Sequence, residues 1–221
     1  IPTETMNMIV GKLELNPLIK AVDVSYIPGN VTFPAEDTVN DANWVEMATA
    51  ATDSADALKA VTLGAYKLIK TVSITADVQA MSIPAFEAWL VARLANKIEK
   101  AVDAGILTGS GSNQATGIFT TKVTADGTWA SAGIGYADVL KIVAALGPQY
   151  RNDAAFVMDS NMFFSKVLGM VDTQKQPIVK LADGGQGAPA YRLIGFPVIV
   201  ADNCTSDNIL FGDLKAYKFN F

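Results

Sequence analysis

The most regular run of apolar residues in the chain extends from Ala85 to about Leu107 and predicts a long amphipathic helix. Ser82 is suited to cap this helix, and Pro84 is suited to its first turn. At about 1.5 Å per residue the helix would be more than roughly 30 Å long. Its apolar stripe contains Phe86, Leu90, Leu94, Ile98 and Val102, with Trp89 and Ala101 widening it, and its opposite side carries Arg93, Lys97 and Lys100.

A second pattern, rich in β-branched residues, runs from about Val61 to Ile74. A single strand of that length would measure about 46 Å, whereas an ordinary strand has five or six residues. The alternation of apolar residues also changes phase along the run, which predicts a β-bulge or a strong twist near Ala65. Together with a short strand at Val31–Phe33, the run predicts a long hairpin that protrudes and pairs with another molecule.

The rest of the chain predicts an extended segment followed, after the helix, by a mixed region of helices and strands. Residues 1–29 contain scattered prolines and predict an extended arm with at most a short helix. Residues 180–189 predict a glycine-rich loop, and the apolar Phe221 predicts that strands continue beyond this sequence. The predicted elements are helices at Tyr136–Leu146 and from Asp159 or Ser160 to Leu168, and strands at Ala155–Met158, Tyr191–Ile194, Val198–Val200, Ile209–Phe211 and Ala216–Phe221.

Composition excludes several classes of function. The chain has 221 residues, of which 50% are apolar and 18% charged, so it is able to bury a substantial core. Its net charge of −5 argues against a nucleic-acid-coating surface. The absence of histidine removes the usual general base, the serine and cysteine triads and most zinc sites. No apolar run approaches the ~20 residues that span a bilayer, and no signal peptide is recognisable, so we expect no membrane association.

Charge is segregated along the sequence. Between Lys20 and Lys59 there is no Lys or Arg, and the acidic residues there include Glu36, Asp37, Asp41, Glu46, Asp53 and Asp56. A row of cations such as Arg93, Lys97 and Lys100 usually marks a solvated helix face. The alternative hypothesis is that this row receives the acidic segment of a neighbouring subunit, since complementary patches set register and partner choice.

The remaining candidate motifs favour structural roles over chemistry. Gly109-Ser110-Gly111 follows a helix and lacks a Gly-Lys-Ser/Thr sequence, so it predicts a turn and no nucleotide site. The lone Cys204 has no histidine partner and no disulfide partner. Four acids could in principle collect a metal ion: Asp172, Asp183, Asp202 and Asp213. They lack the Asp-x-Asp-x-Asp spacing that would support such a site, and aspartates next to glycine or asparagine usually form turns. We therefore predict no catalytic residue, no cofactor and no metal.

Three stretches taken in order carry a family resemblance. The first is a turn with the pattern Asp, Leu-x-Gly-x-Gly and then Gly-Ile, formed here by Asp103, Leu107, Gly109, Gly111, Gly117 and Ile118. The others are Leu193–Val198, which contains Gly195-Phe196-Pro197-Val198, and Ile209–Asp213. In this order they resemble the major capsid proteins of tailed bacteriophages, the family with the Hong Kong 97 shell fold. Ala115 stands where that family often has proline.

The resemblance implies an α+β fold of the Hong Kong 97 type, which has an N-terminal arm, an extended E-loop hairpin, a peripheral domain with a long spine helix, and an axial domain. These parts would correspond to residues 1–29 for the arm, 30–70 for the E-loop, 71–119 for the peripheral domain with its glycine-rich turn, 120–200 for the axial domain, and 201–221 for the return to the peripheral domain, whose final strands would be missing. The loop with Gly184, Gly185 and Gly187 would then lie at the capsomer axis.

The function implied is that of a major capsid protein of a tailed phage or prophage. Pentamers and hexamers of the chain would close an icosahedral shell around double-stranded DNA without sequence-specific binding. The family also implies a scaffolding segment or protein, a portal and a maturation protease as partners, assembly in the bacterial host cytoplasm, and a place in the virion. The alternatives are an encapsulin-like nanocompartment shell and, in another class, a small α/β enzyme that uses carboxylates alone.

Overall fold

The chain divides into two compact units in the computed structural model. The main unit consists of Ile1–Val24 and Tyr66–Phe219, and the hairpin unit consists of Ser25–Ala65 and Asn220–Phe221. The structure describes residues 10–11, 13–38, 44, 46–47, 57–70, 83–121, 129, 133–171, 176, 179, 191–205 and 207–220. No helix among the described residues is both long enough and apolar enough to cross a bilayer.

A 26-residue helix is the longest element of the main unit. This helix, α2, spans Ile83–Thr108 and confirms the predicted long helix. Its buried face is centred on Val91, Ala95 and Val102, whereas Trp89 and Ala101, which were expected to widen the stripe, are exposed. The buried face is therefore rotated away from Trp89.

Shorter helices among the described residues accompany it. Helix α1 spans Pro17–Ala21, α3 spans Ile118–Thr121, and α4 spans Tyr136–Ala145, in agreement with the helix predicted there. The helix predicted after Asp159 is present, but its central part, Met162–Val167, is a π-helix. Short 3₁₀ turns lie at Pro148–Tyr150 and Leu214–Ala216.

A four-stranded mixed sheet forms the centre of the main unit. Its strands are β4 (Ala155–Met158), β5 (Arg192–Leu193), β6 (Phe196–Val200) and β7 (Ile209–Gly212), in the order β5-β6-β4-β7. Strand β4 runs parallel to β6 and antiparallel to β7. All four of these strands agree with the predicted ones to within two residues at either end.

The buried side chains of the main unit form two clusters, and β4 contributes to both. Ala155 and Val157 belong to the cluster that contains α1 and the buried face of α2. Phe156 and Met158 belong to the cluster that contains α4 and the π-helix. Because successive side chains of a strand point to opposite faces, one fully buried strand supplies both cores.

The described part of the hairpin unit contains an antiparallel pair of strands. Strand β2 spans Val31–Thr38 and pairs with β3, Ala57–Leu63, with Val31 opposite Leu63. The register shifts between Glu36 and Thr38. Near the base, a short strand β1 (Asp23–Ser25) pairs with β8 (Lys218–Asn220).

Two strand predictions were wrong in their bounds. The strand expected over Val61–Ile74 begins at Ala57 and ends at Leu63, and residues 64–70 are not strand. The irregularity expected near Ala65 lies instead on the partner strand β2, which is longer than the predicted Val31–Phe33. The bounds are set by the hydrogen-bonded pairing of the two strands, and the alternation of apolar residues within one strand contains no information about that pairing. The loop over 180–189 lies outside the described residues.

Candidate assembly interface

The three basic residues predicted on the long helix lie together along an open groove of about 680 Å³ in the main unit. We call this the basic groove. Arg93, Lys97 and Lys100 are all exposed on α2. The opposite walls come from the start of α1 and from the segment that follows β6. The other lining residues are Asn16–Leu18, Asn96, Glu99, Asp103, Ser160 and 199–203.

The three basic side chains of this groove form no ion pair with the residues that the structure describes. Among the residues that the structure describes, the ion pairs found lie elsewhere, for example between Lys141 and Asp138 and between Lys215 and Asp153. The guanidinium carbon of Arg93 lies 5.5 Å from the ring centre of Trp89, a cation–π contact that leaves its hydrogen-bond donors available. The three cations therefore form a row of free donors for an acidic ligand, within a groove whose lining also carries the carboxylates of Glu99, Asp103 and Asp202.

The acidic residues of the same groove are engaged in hydrogen bonds. The Nδ2 of Asn16 donates to Oε1 of Glu99 at 2.8 Å and to both carboxylate oxygens of Asp103, at 3.0 and 3.1 Å. The hydroxyl of Ser160 donates to Oδ1 of Asp202 at 2.6 Å. Burial raises the pKa of Asp103, the hydrogen bond from Asn16 lowers it, and the neighbouring charge of Glu99 raises it further.

Asn16 also positions the wall of the groove, a role that the sequence prediction missed. Its Oδ1 accepts hydrogen bonds from the backbone N–H of Leu18 at 2.7 Å and of Ile19 at 3.4 Å, so it caps α1. The sequence did contain a signal for this, because Asn followed by Pro is the pattern of an N-cap and a first helical residue. One buried side chain thus joins α1 to α2.

Part of the predicted acidic segment is found on the hairpin. Glu36 and Asp37 are exposed on β2, at the register shift, and Glu46 is exposed beyond the end of that strand. Asp41, Asp53 and Asp56 lie outside the described residues. The structure therefore brings Arg93, Lys97 and Lys100 together, and it leaves the pairing of the acids with these cations a prediction.

The hairpin itself is poorly buried. Six of the seven residues of β3 are exposed, and the Leu58 side chain is 74% exposed. An isolated two-stranded hairpin is marginally stable in water at best. The hairpin thus presents apolar and acidic side chains that its own strands do not cover.

The predicted glycine turn is tightly closed on its own backbone. The N–H of Gly117 donates to the carbonyl of Gly109 at 2.8 Å, and Ser110 pairs with Thr116 as an isolated bridge. A Cβ on Gly109 would lie 2.2 Å from the Ala115 carbonyl oxygen, and one on Gly117 would lie 2.4 Å from the Gly109 nitrogen. These two positions therefore require glycine.

A tyrosine fixes the same turn to the end of the chain. The Tyr217 hydroxyl donates to the Thr116 carbonyl at 2.9 Å. Burial raises the pKa of Tyr217 above its ordinary value, so this hydroxyl stays a donor to a higher pH than an exposed tyrosine would. The turn thus ends α2 and places α3 against it, which is a structural role.

The other candidate residues have structural explanations where the structure describes them. Oδ1 of Asp213 accepts a hydrogen bond from the N–H of Lys215 at 2.9 Å and caps the 3₁₀ turn. Cys204 is buried, and desolvation, followed by the charge of Asp159, raises its pKa to about 12. Asp172 and Asp183, and Gly184, Gly185 and Gly187 of the predicted axial loop, lie outside the described residues. Within the described ranges, no group of three or more potential ligands is placed to hold a metal ion.

Comparison with known proteins gives one family and several similar structures. The model of the phage capsid family matches residues 1–221. The capsid of the native GTA particle, computed with C5 symmetry, is 24% identical with a TM-score of 0.73, and the match covers 90% of this chain and 73% of that one. The capsid asymmetric unit of cyanophage A-1(L) is 14% identical with a TM-score of 0.55, covering 88% and 68%. A structure of Gordonia phage Cozz is 13% identical with a TM-score of 0.54, covering 91% and 69%. No curated protein matches the chain. The likenesses confirm the α+β fold that the resemblance implied.

Proposed function

Because the chain belongs to the phage capsid family and is a major capsid protein of a virion shell, we propose that its copies assemble by docking the acidic hairpin of one copy into the basic groove of the next. The observation that carries this proposal is a row of three exposed cations on α2 together with two exposed carboxylates on β2 of the hairpin. Arg93, Lys97 and Lys100 lack ion pairs among the described residues, and Glu36 and Asp37 are exposed on the hairpin.

The burial of the hairpin supports docking on another copy. Ordering a residue costs about 1–2 kcal/mol of backbone entropy, and this must be offset by contacts. Exposed side chains such as Leu58 and Val61, 74% and 42% exposed, offer apolar area that a neighbouring subunit would bury. Apolar burial would then supply affinity, while the charges would set the register.

This contact joins two different surfaces of the same chain, so it is heterologous. Heterologous contacts that repeat around an axis close into rings. We propose that the rings are the pentamers and hexamers of an icosahedral shell, with Gly184, Gly185 and Gly187 at their axis. Residues 30–70 would act as the E-loop, 71–119 and 201–221 as the peripheral domain, 120–200 as the axial domain, and 1–29 as the arm.

The biological setting that we propose is the one that the family resemblance implies. The shell would enclose double-stranded DNA and assemble in the bacterial host cytoplasm with a scaffolding segment or protein, a portal and a maturation protease. The role of the chain in it would be structural, without catalysis: the only thiol, that of Cys204, is buried with a pKa of about 12 and is a poor nucleophile.

Charge reversal in the basic groove tests the docking. The Lys97→Glu/Lys100→Glu double variant is expected to reduce the yield of rings and shells, measured by negative-stain electron microscopy and mass photometry. The matched control is Lys141→Glu/Lys215→Glu, which makes the same change of charge at exposed surface pairs that contribute little to stability. Wild-type assembly should weaken with rising salt, since the Debye length falls from about 10 Å at 0.1 M to about 3 Å at 1 M.

A compensating change separates docking from damage to the fold. Adding Glu36→Lys/Asp37→Lys to the groove variant should restore part of the assembly, because the two surfaces would again carry opposite charges. Assembly of the groove variant at the wild-type yield and with the wild-type salt dependence would contradict the proposal. The proposal would also be contradicted if the groove variant lost no more assembly than the control variant Lys141→Glu/Lys215→Glu.

A further inference from the structure

The side chain of Asn220 makes three hydrogen bonds to the first residues of the hairpin unit. Its Oδ1 accepts from the hydroxyl of Ser25 at 2.9 Å and from the backbone N–H of Ile27 at 2.9 Å. Its Nδ2 donates to the backbone carbonyl of Ile27 at 2.7 Å. The bonded residues are up to 195 positions apart in sequence, so this contact closes a very long loop of chain.

The amide of Asn220 binds both backbone polar groups of Ile27. The side chain accepts from the Ile27 N–H and donates to the Ile27 carbonyl, so one amide satisfies both groups. Strand β1 ends at Ser25 and strand β8 ends at Asn220. The side chain therefore holds the backbone two residues beyond the end of β1, in the segment from which the chain proceeds to β2.

Asparagine is the residue that this geometry requires. An aspartate at the same position would accept from Ser25 and from the Ile27 N–H, but it would set a carboxylate oxygen against the Ile27 carbonyl. An alanine would make none of the three bonds. The segment that follows includes Gly29, which has a φ of +97° and no described atom within 4 Å of a Cβ built on it.

The base of the hairpin is also closed on its other side. Oδ1 of Asn30 accepts from the backbone N–H of Ala65 at 3.1 Å, so it joins the two chain segments that enter and leave the hairpin. Asn30 ties these two segments to each other, and Asn220 ties the first of them to the last strand.

We infer that Asn220 is a positioning residue for assembly, which holds residues 25–27 so that the hairpin is ordered before it meets a neighbouring copy. This inference rests on the proposed docking of the hairpin. A hairpin that is ordered beforehand loses less conformational freedom on docking, so a defect in this contact should slow assembly without altering the docking surfaces.

Hydrogen exchange on the unassembled full-length chain tests the contact itself. Asn220→Ala should raise the exchange rate of the Ile27 amide roughly tenfold, as expected for the loss of a hydrogen bond. Ser25→Ala should raise it less, since it removes only the hydroxyl bond. Asn208→Ala is the matched control, because Asn208 is an exposed asparagine of the main unit, and it should leave the Ile27 amide unchanged.

The rate of shell assembly, followed by light scattering, tests the positioning role. Asn220→Ala and Asn220→Asp should lengthen the lag before shells appear, while Asn208→Ala should not. Exchange in Asn220→Ala equal to that in Asn208→Ala would overturn the inference, and so would raised exchange with an unchanged lag. If Asn220→Ala fails to fold, Ser25→Ala provides the same comparison with a smaller perturbation. The Lys97→Glu/Lys100→Glu variant distinguishes the two proposals, because it should impair assembly while Ile27 exchange stays at the wild-type rate.

Discussion

Replacing Gly117 by alanine should disrupt the turn that ends the long helix. The added Cβ would lie 2.4 Å from the nitrogen of Gly109 and 2.7 Å from the Leu107 oxygen and the Thr108 nitrogen. All three contacts are with backbone atoms, which have no rotamer by which to move away. The turn must therefore open, and the 2.8 Å hydrogen bond from Gly117 to Gly109 is lost with it.

The expected magnitude follows from these two effects. Overpacking of a rigid site costs about 1–3 kcal/mol, and a lost hydrogen bond costs a further ~0.5–1.5 kcal/mol. A chain of this size loses about 2–4 °C of Tm per kcal/mol, so Gly117→Ala should lower the Tm by roughly 5–15 °C. Thermal unfolding followed by circular dichroism measures the shift.

Gly212→Ala is the matched control for this experiment. A Cβ on Gly212 would have no atom within 4 Å, and Gly212 is not among the glycines with positive φ. Substitution there should be neutral or should stabilise the fold by up to about 1 kcal/mol, because alanine reduces the freedom of the unfolded chain. Equal Tm values for Gly117→Ala and Gly212→Ala would refute the reasoning, since both add the same methyl group and differ only in its surroundings.

Two further predictions concern the carboxylate pair and the division between core and hairpin. Asp103→Asn should raise the free energy of unfolding at neutral pH, because the raised pKa of Asp103 means that the folded state penalises its charge. This gain over wild type should shrink as the pH falls through the raised pKa of the folded state, and it should vanish well below the unfolded pKa of about 3.9, where the carboxyl is protonated in both states. Urea titrations at several pH values measure the difference, and a gain that is independent of pH would contradict it. Ile106→Ala, at a fully buried position, should cost about 2–5 kcal/mol of folding stability. Leu58→Ala, at a position 74% exposed on the hairpin, should leave the Tm nearly unchanged but lower the yield of shells, and a large fall in Tm for Leu58→Ala would show that the hairpin packs within its own subunit.

The parts of the fold that were predictable from sequence are those in which one element determines its own pattern. Helix α2 was predicted within two residues at each end because its apolar residues recur over many turns. Strand β4 was predicted because both of its faces are buried, which makes every residue apolar. The bounds of strand β3 were predicted wrongly because they depend on pairing with β2. A run of β-branched residues does not indicate which strand it pairs with or where the pairing ends.

The candidate site was predictable only in part for a similar reason. The cations Arg93, Lys97 and Lys100 share one helix, so their spacing alone placed them together. The remaining walls of the groove come from segments about 60 to 110 residues further along the chain or about 80 residues before it, and no local pattern relates them to the helix. The role of Asn220 could not have been predicted from sequence. Asn220 and Ile27 are far apart in sequence and come together only in the folded chain, so no local pattern marks the contact.

The position of β4 has a consequence for how a shell subunit bears load. Its four residues alternate between the two clusters of buried side chains. If either cluster opened, β4 would have to move, and its side chains would then leave the other cluster as well. A local opening that would release either cluster alone should therefore be suppressed, and the two clusters should open together. Internal pressure on a wall made of such subunits would be carried by the contacts between them, while the body of each subunit stays rigid and passes the strain to its neighbours.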